Sequence, residues 1–168
     1  MSQLDLNMIE ALEERGEGEF DDMGSHNHSR VQANLAYLFK RLDKYAVYIE
    51  LSLDSSSLDS SIFQVKDEII PDICLYPRRP WSLPRDTLRM TEMPLLVAEI
   101  LSPRQGTDTI FRKFEAYFAL GIRSCWLIEP TAMIVQVYDR PDHKITFGSA
   151  SVIDEQLDIT IPIAEIFE

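Results

Sequence analysis

The stretch "PLLVAEILSP", residues 94–103, decides how the chain is read. Between Leu95 and Ser102 every residue is apolar except Glu99 and Ser102. A short apolar run of this length suits a strand covered on both faces. Side chains alternate along a strand, so Leu95, Val97, Glu99 and Leu101 share one face. Leu96, Ala98, Ile100 and Ser102 share the other. Glu99 therefore projects from an apolar row. Burying a lone carboxylate costs several kcal/mol unless a partner offsets it.

A second strand has the same character. In "IIPDICLY", residues 69–76, Asp72 shares a face with Ile70, Cys74 and Tyr76. Each acid alone fits a local role. Asp72, just after Pro71, suits a turn acid that accepts from the backbone. Glu99 suits an ion pair with Arg104 or Arg123. Together they suggest more, because two carboxylates on neighbouring strands can converge at a sheet edge. Hard cations such as Mg²⁺ take one or two carboxylates plus waters. The backbone carbonyl of Ile100 would be a further oxygen donor.

The rest of the chain supplies the frame. "SHNHSRVQANLAYLFKRLDKY" carries Val31, Leu35, Leu38, Phe39 and Leu42 at helical spacing, which predicts a helix over about 27–43. Ser25, Asn27 and Ser29 are the candidate N-caps. "AVYIELSLD" predicts one strand, and "IFQVKDEIIPDICLYP" predicts strand on both sides of a polar kink. Residues 78–93 read as a loop. "RQGTDTIFRKFEAYFALG" predicts a helix with Thr107 or Asp108 near its N-cap and Gly121 at its C-terminal stop. Strands follow at "IRSCWLIEP", "MIVQVYD" and "HKITFGSA". "LDITIPIAEIFE" closes as a strand and a helical turn. The order indicates a mixed α/β domain, one sheet flanked by two main helices. Residues 1–24 read as an N-terminal extension with a weakly amphipathic stretch, and 25–168 as a single domain.

On the second helix, Ile110, Phe111, Phe114, Tyr117 and Phe118 form the apolar face. Lys113 lies at its flank, beside Tyr117. From there it can reach over the sheet edge towards the two acids, or snorkel to the surface.

Composition narrows the setting. The net charge is −12, which argues against tight, non-specific binding to DNA. The main basic cluster is the 78–89 loop, with Arg78, Arg79, Arg85 and Arg89 around Trp81 and against one acid, Asp86. It is the candidate nucleic-acid contact, as phosphate clamps with a stacking ring, or a set of solvated arginines. Cys74 and Cys125 read as reduced, buried fillers. The acidic N-terminus lacks a signal-peptide layout and no apolar run is long enough to span a membrane. The expected location is the cytoplasm.

Asp72 after Pro71, "LLVAEILSP" and "DTIFRKFEAYFALGIRSCWLIEP" resemble the Uma2 family, the DUF820-type restriction-endonuclease-like proteins. That family resembles the PD-(D/E)XK nuclease superfamily. The resemblance spans about 24–168, and "HSRVQANL" is similar to the family's first helix. It implies a restriction-endonuclease-like core, a central mixed sheet flanked by helices. Asp72 matches the first metal-binding acid and Glu99 the acid of the (D/E)XK element. The superfamily's lysine would fall at 101, where this chain has Leu101. Lys113 matches the position of a lysine moved to the helix. Tyr117 and His28 are auxiliary candidates, and Glu129 stands where many relatives carry Asp before Pro. The implied activity is Mg²⁺- or Mn²⁺-dependent hydrolysis of DNA, with a homodimer suited to cutting both strands. The alternatives are a catalytically inactive nuclease-fold binding or assembly module, and hydrolysis of another phosphoester.

Overall fold

The computed structural model describes residues 24–81 and 84–168. The amphipathic stretch expected within residues 1–23 lies outside them. The elements run α1 (His26–Arg41), β1 (Tyr45–Ile49), β2 (Leu53–Asp54), α2 (Ser60–Phe63), β3 (Glu68–Ile69), β4 (Ile73–Pro77), β5 (Leu96–Ile100) and α3 (Thr107–Ala119). They continue with β6 (Ser124–Glu129), β7 (Ile134–Arg140), β8 (His143–Phe147), β9 (Ser151–Asp154), β10 (Ile159–Pro162) and α4 (Ile163–Ile166).

A six-stranded mixed sheet in the order β1-β4-β5-β6-β7-β8 is the frame. Only β5 and β6 pair in parallel, and α3 is the crossover between them. β4 and β5 pair antiparallel, with Ile73 opposite Ala98 and Cys74 opposite Val97. All five residues of β5 are buried, as a strand covered on both faces requires.

Two apolar layers do the covering. On one face, Val31, Leu35, Leu38 and Phe39 of α1 pack on Leu75, Leu96, Ala98, Ile100 and Trp126. The Phe39 and Trp126 rings stand 5.1 Å apart, in the tilted arrangement aromatic pairs favour. The β9–β10 hairpin and α4 extend this layer through Val152, Ile159, Ile161 and Ile166. On the other face, Ile110, Phe114 and Tyr117 of α3 pack on Cys74, Tyr76, Val97, Cys125 and Leu127. Phe111 is more exposed than its neighbours on that helix.

Ser25 caps α1, its side chain accepting from the His28 N–H. α3 starts at Thr107, with Gly106 as its N-cap and no side-chain cap, so Thr107 and Asp108 lie next to the cap as expected. Gly121 follows α3 at φ +93°, a conformation that suits the absent Cβ. The strand expected over 46–54 is split, because Glu50 adopts φ 53° and turns the chain between β1 and β2. Ile62 and Phe63 lie in the helical turn α2, not a strand: Asp59 caps it through the Ser61 N–H, and Gln64 ends it left-handed. Both cysteines are free and buried, and burial pushes the Cys74 thiol up to about 12. Among the described residues no helix is long and apolar enough to cross a membrane.

Candidate active site

β4 and β5 set the site. Continuing their register one step past Ile73–Ala98 places Asp72 opposite Glu99, on the same face of the sheet. That face is the one α3 covers. The two acids of the sequence reading are thus neighbours across two adjacent strands.

Glu99 is 2% exposed, and its Oε1 is held twice from α3. The Tyr117 hydroxyl donates to it at 2.6 Å, and the Lys113 ammonium lies 2.8 Å away. Lys113 and Tyr117 are four apart and so lie on one side of the helix. Lys113 also donates to the Ile70 carbonyl at 3.1 Å, tying the helix to the segment leading into β4. Lys113 and Tyr117 fill the partner role expected of Arg104 or Arg123. Burial raises the Glu99 pKa, Lys113 opposes the rise, and the charge on Asp72 adds to it. Burial and the nearby Glu99 charge raise the Tyr117 phenol well above its ordinary value, so it stays a donor.

Asp72 is fixed by its other side. Its Oδ2 accepts from the Ile100 N–H at 2.6 Å and lies 3.2 Å from His28 Nε2. His28, in the first turn of α1, is 8% exposed rather than a solvated loop residue. Its hydrogen bond to Asp72 raises the imidazole pKa, against an opposing effect of burial. Its Nδ1 is buried and, among the described residues, has no hydrogen-bond partner. With Nε2–H facing the carboxylate, Nδ1 is a bare acceptor in the neutral ring. Gln32, one turn further along α1, donates to the Asp72 carbonyl at 3.0 Å. The sequence signal for Gln32 was its spacing of four from His28.

The donor set fits a hard cation. Glu99 Oε1 and Asp72 Oδ2 are engaged by protein groups, whereas Glu99 Oε2 and Asp72 Oδ1 take no hydrogen bond from the described residues. Two hard oxygens on adjacent strands are what Mg²⁺ or Mn²⁺ uses, with water in the other positions. Among the described residues no group of three or more His, Cys, Asp or Glu side chains forms a metal cage.

The arginine loop is less basic than its composition. Arg78 pairs with Asp43 at 3.0 Å, Arg89 with Glu68 at 3.4 Å, and Arg79 with Glu92 at 2.8 Å. Arg79 also stacks 4.4 Å over the Tyr76 ring. Among the described residues no acid pairs with Arg85. Trp81 is 91% exposed. Among the described residues the His26 side chain hydrogen-bonds only to its neighbour Asn27. Sequence reading passed over a second buried acid in addition to Glu99, Asp154 of β9, which accepts from the Ser124 hydroxyl and the Trp126 indole. Its hydrogen bonds join β9 to β6, away from Asp72 and Glu99.

The Uma2 family model, described as "putative restriction endonuclease", matches residues 3–162. The chain belongs to the Uma2 family. Among solved structures, this Uma2 chain is similar to a "putative nuclease belonging to DUF820" from Anabaena variabilis ATCC 29413. The two are 20% identical with a TM-score of 0.68, covering 88% of this chain and 83% of the other. That likeness establishes a shared fold. Among curated proteins there is no match.

Proposed function

We propose that this Uma2 protein is a Mg²⁺-dependent endonuclease that hydrolyses DNA phosphodiester bonds, with Mn²⁺ as an alternative ion. One observation carries the reading. Asp72 and Glu99 face each other across β4 and β5, each anchored by one oxygen and each with a second left over. Bound there, the ion would polarise a phosphoryl oxygen and lower the pKa of a water.

The chain's own groups divide the remaining work. Asp72 and Glu99 hold the cation. Tyr117 keeps the Glu99 carboxylate in one orientation. Lys113 sets a fixed positive charge beside Glu99, where it can orient the water or offset charge growing on the phosphate. His28 and Gln32 position Asp72 through its carboxylate and its carbonyl. In the reaction, water adds across a P–O ester bond; one product keeps the phosphate and the other leaves with a hydroxyl. Arg85, with Trp81 as a stacking ring, is the loop's candidate DNA contact. A two-fold dimer would set one site against each strand of a duplex. Free buried thiols suit a reducing cytoplasm.

The ion pairs of Arg78, Arg79 and Arg89 favour a second reading, a nuclease-fold module that binds without cutting. Plasmid and oligonucleotide cleavage with Mg²⁺ or Mn²⁺ separates the two, run beside Asp72→Ala, Glu99→Ala and Lys113→Ala. Cleavage lost in all three supports the nuclease. Cleavage that survives all three overturns it. Calorimetric titration with Mg²⁺ should show binding that Asp72→Ala and Glu99→Ala abolish. Metal binding with no cleavage selects the second reading.

A further inference from the structure

Beyond Glu99 the same face of the sheet opens into a cleft of about 420 Å³. It lies at the carboxyl ends of the parallel pair β5 and β6, between Leu101, Gln105, Glu129 and Thr131. Such ends are where crossover folds leave room for ligands. The register pairs Glu99 with Leu127, and the Leu101 N–H donates to the Ile128 carbonyl at 2.9 Å. Leu101 and Glu129 therefore stand level, each two residues beyond the level of Glu99. Two strand steps amount to roughly 6.6 Å, about one nucleotide's reach.

Glu129 is held in place. Its Oε1 accepts from Gln136 Nε2 at 2.9 Å, and Gln136 Oε1 in turn accepts from Tyr138 and Lys144. Glu129 Oε2 takes no hydrogen bond from the described residues. An anchored carboxylate repels phosphate, so the backbone of a substrate does not belong there. It accepts from N–H groups, and among nucleobases the exocyclic amino groups of cytosine, adenine and guanine supply them. Thymine has none. Leu101 and Pro130 offer apolar walls for a ring, and Gln105 and Thr131 offer further polar groups.

We propose that this cleft seats one unpaired nucleobase flanking the scissile phosphate, and that Glu129 selects bases carrying an amino group. The proposal rests on the nuclease reading for its phosphate register. A base in such a cleft must be out of the stack, so the substrate there is single-stranded or locally opened.

The test uses fluorescein-labelled single-stranded DNA 12-mers, with all four bases varied at each position flanking one fixed cleavage point. Cleavage is followed in Mg²⁺ for wild type, Glu129→Gln and Thr131→Trp. Anisotropy measures binding of the same oligonucleotides with Ca²⁺ in place of Mg²⁺, and thermal melts confirm folding. Wild type should disfavour thymine at one flanking position by about fivefold or more in kcat/KM. Glu129→Gln should flatten that ratio, and Thr131→Trp should weaken binding of all four by filling the cleft. The same ranking in binding, with no cleavage, would uphold the cleft and sink the nuclease. Cleavage indifferent to the flanking base, or a ranking that persists in Glu129→Gln, would overturn the cleft and leave the nuclease standing. Neither cleavage nor base-dependent binding would overturn both.

Discussion

Tyr117→Phe isolates the hydrogen bond that holds the buried acid. The ring is fully buried under α3, so the substitution keeps the packing and removes one oxygen. That oxygen donates to Glu99 Oε1 at 2.6 Å. A hydrogen bond to a charged group is worth about 1.5–3 kcal/mol. A loss of about 2 kcal/mol in a chain of this size lowers the melting temperature by ~4–8 °C. The pH dependence carries a sign. The Tyr117 bond works against the rise that burial imposes on the Glu99 pKa, so removing it raises that pKa further. At acid pH, with Glu99 protonated, only an ordinary neutral hydrogen bond is lost, about 0.5–1.5 kcal/mol. The cost should therefore grow as pH rises through the raised Glu99 value and then level off. Urea unfolding of both proteins from pH 4 to pH 8 measures this. Mg²⁺ affinity should fall ~10–100-fold, the usual effect of losing a group that orients a ligand. The decisive control is the same change made in a Glu99→Leu background. If Tyr117→Phe costs as much there as in wild type, the stabilisation does not run through Glu99. A pH-independent difference would refute the reasoning equally.

Three further outcomes follow from the same contacts. Glu99→Gln keeps a partner for the Tyr117 hydroxyl and removes a buried charge whose folded pKa is raised, so the variant's stability relative to wild type should improve as pH rises above the ordinary carboxylate value; urea unfolding from pH 4 to pH 8 reads the trend, calorimetry should show Mg²⁺ binding lost, and a difference that stays flat or moves the other way with pH refutes it. For His28 the sign is opposite: its folded pKa is raised, so its contact with Asp72 stabilises fully below pH 6.5 and fades as pH climbs through the raised value. His28→Gln should then cost about 1 kcal/mol near pH 5.5 and less at pH 9 in metal-free buffer, a difference chemical denaturation resolves. Asp154→Ala strands the Trp126 N–H and the Ser124 hydroxyl, so it should cost about 3 kcal/mol in denaturant while leaving Mg²⁺ titration unchanged.

Much of this arrangement is legible in the residues, and the gaps have physical reasons. Helices α1 and α3 show in their 3.6-residue spacing because each buries one stripe on a different face of the sheet. The acid pair shows because two charged residues interrupt apolar strands. The strand β9 escapes notice: "SVID" is four residues long, Ile153 faces out, and its acid is buried instead. Residues 60–63 mislead because Ile62 and Phe63 favour strand in isolation, whereas the Asp59 cap decides the backbone. The neutralised arginines were also hidden. Asp43 and Glu68 come from segments distant in sequence and Glu92 lies just past the 78–89 stretch, so that stretch's composition overstated its charge.

Leu101 was the departure from the acid-x-lysine pattern, and the geometry gives it a physical sense. Residues 99 and 101 project from the same face, so a lysine at 101 would approach Glu99 along the strand. Lys113 approaches the same carboxylate from above, from α3, and is braced by the Ile70 carbonyl as well. Its charge is thus fixed at two points on the protein, which limits the rotamer freedom that an unbraced lysine would have to give up in the transition state. The strand position is then free to be apolar. Leu101 packs against the α3-side core and at the same time forms a wall of the cleft that holds Glu129. A lysine there would bring its charge beside the Glu129 carboxylate and compete for the oxygen proposed to read a base. Supplying the cation from the helix would keep the two acids' proposed functions apart, Glu99 serving phosphate and metal and Glu129 the base.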